Sequence, residues 1–114
     1  RYELHRVWVV EGKLREGLDH LYHTRRMYFD EDSWQMVLSE EYDEDGQLWR
    51  VSEAHLINYY EVPVPWTTLE TTYDLKNGRY FVDGLDNDQP VRDFSPNLST
   101  RDFSTSAVRR AARR

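Results

Sequence analysis

Apolar and polar residues alternate with a period of two along most of the chain, and a 3.6-residue period is almost absent until the end. This pattern predicts six antiparallel strands. They fall at about Tyr2–Glu11, Asp19–Phe29, Trp34–Tyr42, Gln47–Glu61, Thr67–Leu75 and Arg79–Leu85. The punctuation between them is turn chemistry. Gly12 to Gly17, Asp30 to Ser33 and Asp43 to Gly46 are rich in Gly, Asp and Ser. Val62-Pro63-Val64-Pro65 should interrupt the ladder, because Pro donates no backbone hydrogen bond. Asn77-Gly78 reads as a two-residue hairpin turn, since both residues tolerate positive φ. Tyr42-Asp43 and Tyr73-Asp74 recur 31 residues apart, each followed by a Gly, Gly46 and Gly78, that closes the turn.

A three-residue loop at Glu44-Asp45-Gly46 sets Tyr42 opposite Leu48 and Glu40 opposite Arg50. It also sets Leu38 near Ser52, Met36 near Ala54 and Trp34 near Leu56. The turn at Asn77-Gly78 sets Leu75 opposite Tyr80 and Tyr73 opposite Val82. One face then carries Trp34, Met36, Leu38, Tyr42, Leu48, Ala54 and Leu56, and the hairpin adds Leu69, Tyr73, Leu75, Tyr80 and Val82 to an apolar face. A slip of one residue would turn all of them to the other side. The expected class is mainly β: a curved antiparallel meander of about six strands, part of a half-barrel, with a short C-terminal helix. Residues 1–85 form the sheet and residues 86–114 a tail with short helical turns. Ser95 before Pro96, and Ser104 before Thr105–Arg113, read as helix starts. Phe94 and Phe103 are expected to pin the tail to the sheet.

Aromatics make up 14% of the 114 residues, with four Trp and eight Tyr. In a single sheet both faces of several strands then carry large side chains, and one layer cannot bury them. Those rings either form plain sheet core or line an apolar ligand site. The missing cover belongs to another part of the protein, a second copy or a bound ligand. The first residue is Arg rather than Met, so the chain is expected to be a fragment of a larger domain or a processed product. The longest apolar runs, such as Val7 to Val10, are too short for a membrane-spanning helix, and the start of the chain does not read as a signal peptide.

The net charge of −6 is an average of unlike parts. Residues 107–114 hold four Arg and no acid, and without them 11 basic face 21 acidic side chains, a net of −10. A body that acidic argues against nucleic acid as partner. The tail is either a solvated turn or a contact for an anionic surface such as phospholipid head groups. No Cys is present, which excludes disulfides and cysteine nucleophiles.

No enzymatic constellation is found. His20 and His23 lie three apart, which on a strand puts them on opposite faces, and His5 and His55 belong to other strands, so no metal or other cofactor is expected. Asp30-x-Asp32 and Asp43-x-Asp45-Gly46 lack the rest of a calcium loop. Glu40, Glu41, Asp43, Glu44 and Asp45 flank a turn, where solvated acids are expected rather than a catalytic pair. Arg6, Arg26 and Arg50 are either cross-strand partners for Glu3, Glu40 or Glu53, or contacts for an anionic head group.

His5 to Glu11, Arg26 to Trp34, Tyr42-Asp43 with Gly46 to Val51, Tyr73 to Leu75 with Asn77 to Tyr80, and Asp102 to Ser104 with Ala107 to Arg110 together resemble an uncharacterised bacterial family. It is labelled as outer-membrane lipoprotein-sorting proteins of Gram-negative bacteria. Full members are several times longer, so this chain looks like their C-terminal portion. The resemblance implies an unclosed half-barrel like that of the periplasmic lipoprotein carriers, a periplasmic location that can include association with the outer membrane, and an apolar cargo such as lipid or an acylated protein. It supplies no catalytic residue. The ligand face expected is Trp34, Met36, Leu38, Tyr42, Leu48, Leu56, Tyr73 and Tyr80, with Arg6, Arg26 and Arg50 for a head group. The alternative is an interaction domain that pairs, through a sheet edge or face, with the rest of its protein, a second copy or a transport partner.

Overall fold

The computed structural model describes residues 3–85, 89–90, 92–95 and 97–113. Six strands form one antiparallel meander in sequence order: β1 (Val7–Lys13), β2 (Thr24–Asp30), β3 (Met36–Tyr42), β4 (Leu48–Tyr59), β5 (Val64–Asp74) and β6 (Arg79–Asp83). The sheet does not close. A 3-10 turn (Thr100–Phe103) and one α-helix, α1 (Thr105–Ala111), follow. The mainly-β meander with a short C-terminal helix is therefore as the alternation predicts.

Several boundaries move. Gly12 and Lys13 belong to β1 rather than to a turn, and His20 and His23 lie in the connection before β2, outside the strand expected there. The expected strand start at Tyr2 lies outside the described residues. Pro65 does not break the ladder. It sits in the second position of β5, opposite Asn58, and its carbonyl accepts from Gln35 Nε2 at 2.8 Å. Trp34 does not open β3. It occupies the turn with φ 58° and is 69% exposed, its N–H bonded to the Asp30 carbonyl. A bulky residue in the left-handed region is a strained conformation. In the tail, the helix start expected at Ser95-Pro96 falls partly on residue 96, outside the described residues. Ser104 does cap α1, accepting from Ala107 N.

Register holds at the β3–β4 turn and slips beyond it, and at the β5–β6 turn it is shifted from the start. Tyr42 faces Leu48 as expected, around a loop with Gly46 at φ 73°. A bulge then places one extra residue on β4, so Glu41, not Glu40, faces Arg50, and Leu38 faces Glu53, not Ser52. Ala54 and Leu56 consequently turn to the face away from Leu38. The β5–β6 turn spans four residues, with Asp74 opposite Arg79 and Tyr73 opposite Tyr80. Asn77 does not take positive φ, as a two-residue type I′ turn would require. Instead Leu75 N bonds to the Trp49 carbonyl, and Asp74 accepts from the N–H groups of Lys76 and Asn77. A shift of two residues preserves the face, so Tyr73, Tyr80 and Val82 stay together.

Among the described residues no apolar side chain is fully buried. The accessible surface is 10082 Å², against about 6600 Å² for a compact monomer of this mass. The radius of gyration, 17.8 Å, exceeds the ~13 Å of a compact domain of this length. The sheet is a single layer with both faces largely open.

Candidate functional site: the two faces of the open sheet

Residues directly opposite one another share a face, so the pairings trace rows across the sheet. On the first face one row runs Val9, Tyr28, Leu38, Glu53, Thr71, Val82. The next runs Glu11, Arg26, Glu40, Val51, Tyr73, Tyr80. Leu69, Trp66, Ile57 and Tyr59 extend this face along β4 and β5. On the second face one row runs Val10, Met27, Ser39, Ser52, Thr72, Phe81. Its neighbour, from Arg25 through Glu41, Arg50 and Asp74 to Arg79, alternates charge across five strands. The first face is richer in aromatics and the second is polar at its centre, where Ser52 Oγ and Thr72 Oγ1 lie 2.9 Å apart.

Of the residues expected on one apolar face, Leu38, Tyr73 and Tyr80 share the first face. Tyr42 lies two positions from Glu40 along β3, beside Leu48. Met36 is exposed at the start of β3 opposite Phe29, Trp34 is in the turn, and Leu56 faces the other way, opposite Thr67. The predicted cluster is therefore divided. The alternation along each strand was legible; the bulge at Leu48-Trp49 that divides the cluster carries no sequence signal of its own. The groove of about 420 Å³ at the sheet centre is lined by Val37, Ser39, Ser52, Ala54 and Thr72, with only Met36 and Leu38 from the expected set. A second cleft, of about 410 Å³, is lined by Gln35, Pro65, Trp66, Leu69 and Arg92, and the buried Trp66 Nε1–H has no acceptor there.

The three arginines do not converge. Arg6 bonds Glu31 at 2.6 Å, Arg26 bonds Glu11 at 3.0 Å, and Arg50 pairs with Asp74 at 3.5 Å and donates to the Tyr22 hydroxyl. Arg26 and Arg50 stand on opposite faces, because their β3 partners Glu40 and Glu41 are adjacent. All three are in acid pairs, though with partners other than Glu3, Glu40 or Glu53. Arg26 also stacks 5.4 Å from the Tyr42 ring centre.

Of the carboxylates around the third turn, Glu44 and Asp45 are exposed as expected, whereas Glu40 and Asp43 are structural acceptors. Glu40 accepts from both Tyr28 and Tyr42 hydroxyls. Burial and that bond raise the Tyr28 phenol above its ordinary range; for Tyr42 the bond comes first and burial second. Asp43 is buried, accepts from Asp45 N and Gln47 N, and pairs with Lys76. The Lys76 contact, above all, lowers its carboxyl. Asp74 has a like role at the β5–β6 turn, accepting from Lys76 N and Asn77 N and pairing with Arg50, so each Tyr-Asp of the sequence opens a braced turn. Lys76 also lies 4.5 Å from the Trp49 ring centre, whose Nε1 donates to Asp74. Together these contacts clip the two turns to each other.

One convergence escaped the sequence reading. His5, Asp30 and Asp32 bring ligand atoms within 4.8 Å of one another and have the donor types of a borderline divalent cation site. Pairing His residues alone could not find it. The group already has a structural use. His5 Nδ1 lies 2.9 Å from Asp30 Oδ1 and Nε2 3.2 Å from Glu3, while Asp30 Oδ2 accepts from Ser33 N. It fastens the residues before β1 to the β2–β3 turn. The bond to Glu3, then that to Asp30, raises the His5 imidazole above its usual 6.5. The stabilisation is therefore complete below about pH 6.5 and fades as pH rises through the raised folded-state value. An NMR titration of His5 should show this, with the protection of the Glu31 amide, which donates to the Arg6 carbonyl, falling relative to its intrinsic exchange rate over the same range. A His5 titration at or below 6.5 would contradict the fastening.

The chain belongs to the family described as protein of unknown function DUF1329, which matches residues 1–109. It is 46% identical over 110 residues to uncharacterized protein PA3922 of Pseudomonas aeruginosa; the match covers 96% of this chain and 24% of that one. Its fold is that of the crystal structure of a putative outer membrane lipoprotein-sorting protein domain from Vibrio parahaemolyticus, with a TM-score of 0.58 and 16% identity. That likeness covers 90% of this chain and 41% of the Vibrio chain. The chain thus spans about a quarter of one relative and under half of the other. The family resemblance read from the sequence is borne out. No helix among the described residues is long and apolar enough to cross a membrane.

Proposed function

We propose that this chain is part of a non-enzymatic periplasmic module of the lipoprotein-sorting type, which takes acyl chains or another apolar ligand on the first face of its sheet. The observation that carries the reading is the face itself: Val9, Tyr73 and Tyr80 are exposed beside half-buried Tyr28, Leu38 and Val51. Soluble monomers rarely leave such a patch open without a use for it. The shared fold with the Vibrio domain supports it. In this reading the polar side chains interleaved on the same face, Glu53, Glu40 and Arg26, meet the head-group end of the ligand. The purified chain should take up a fluorescent fatty acid and release it to competing lipid. No uptake would remove the reading for this chain.

A second reading is favoured by β1. Val7, Trp8, Val9 and Val10 are all exposed, and among the described residues β1 pairs only with β2. A long apolar edge strand without Pro is a template for a further strand. In this reading the sheet is continued by another part of the protein, a second copy or a transport partner. Light scattering separates the two: a monomer that takes up lipid supports the carrier, and a stable dimer without uptake supports the interaction domain.

A further inference from the structure

Beyond the sheet, the tail carries an unused surface. Phe94 roots it, packing 5.1 Å from the Tyr59 ring centre and 6.0 Å from Trp66 on the first face. Further on the contacts cease to bury side chains. Leu98, Phe103 and Val108, five residues apart, are 59%, 74% and 62% exposed. Phe103 therefore does not pin the tail to the sheet as its sequence echo of Phe94 suggests. Arg101, Arg109, Arg110 and Arg113 lie among them and make no ion pair among the described residues. The one acid of the stretch, Asp102, is spent on capping Ser99 through its N–H and hydroxyl, both at 2.8 Å. On α1, Ala107, Val108 and Ala111 fall on one side and Arg109 on another, with Arg113 just past the helix end.

We propose that the segment Leu98–Arg113 is a contact for an anionic phospholipid surface. Exposed arginines alone would suit any polyanion. Three exposed apolar side chains interleaved with them suit a surface that offers phosphate and hydrocarbon together. The body without residues 107–114 carries a net −10, which on balance opposes approach to such a surface. The segment is thus the part of the molecule that can approach it. The contact would hold the open sheet close to a membrane, while the ligand face keeps its own function.

The test is co-sedimentation of the full chain with vesicles of phosphatidylglycerol and phosphatidylcholine, against phosphatidylcholine alone. Binding to the anionic vesicles only, weakened by high salt, is expected. The double variant Arg109→Ala/Arg110→Ala should partition at least 25-fold more weakly, about fivefold for each arginine. Phe103→Ser should weaken binding without changing its salt dependence. Fatty-acid uptake by the double variant should be unchanged, which keeps this inference separate from the carrier reading. Circular dichroism checks that the strands persist in each variant. Equal binding to both vesicle types, no binding to either, or an unaffected double variant would each overturn the proposal.

Discussion

Replacing Gly84 by Ala is expected to destabilise the sheet by about 2–4 kcal/mol, the largest effect of any single methyl group in this chain. Gly84 follows β6 with φ 83°, and a Cβ there would meet the Thr68 carbonyl oxygen at 2.9 Å. That oxygen is backbone within β5, so relief requires the strand itself to move. Gly17 is the matched control: its φ is 80°, but nothing lies within 4 Å of a Cβ. Gly17→Ala should therefore cost only the conformational part, about 1 kcal/mol. Urea unfolding of the two variants measures the difference. A sheet without a fully buried apolar side chain has little stability in reserve, so Gly84→Ala should lower the midpoint severely. Equal costs would show that the close approach at Thr68 does not govern how the chain leaves β6.

The strands were legible because each follows a period of two, which needs no tertiary information. The 3-residue loop at Glu44-Asp45-Gly46 was legible for the same local reason, since Gly46 supplies the positive φ. What was not legible depends on partners elsewhere. The β5–β6 turn is widened because Leu75 bonds across to Trp49 rather than to β6. The extra residue at Leu48-Trp49 sits beside a clip made by Asp43, Lys76 and Asp74, residues from two turns far apart in sequence. These long-range contacts decide which of Leu38, Leu56 and Tyr73 share a face. The local pattern decides only that they alternate. The need for a cover was readable from composition alone, since aromatic residues on both faces of one layer leave no other outcome.

The division of the faces gives a test that one strand can perform on itself. Tyr80 and Phe81 are neighbours on β6, 71% and 66% exposed, with side chains on opposite faces. Tyr80 stands opposite Tyr73 on the aromatic face; Phe81 stands opposite Thr72 on the hydroxyl-rich one. Neither side chain is needed to hold the strand, so a charge at either position leaves the fold intact. If the first face takes the apolar ligand, Tyr80→Glu removes a large contact and places a charge against hydrocarbon. The loss should be about 10-fold or more in fatty-acid affinity, the value of one large apolar side chain's burial. Phe81→Glu should change affinity less than twofold. The opposite ranking would move the ligand to the hydroxyl-rich face of Ser39, Ser52 and Thr72. Equal losses would mean that β6 acts as an edge rather than through either face. The measurement thus decides the face before the ligand's identity is known, because it compares two sites of like exposure and differs only in the direction each side chain points.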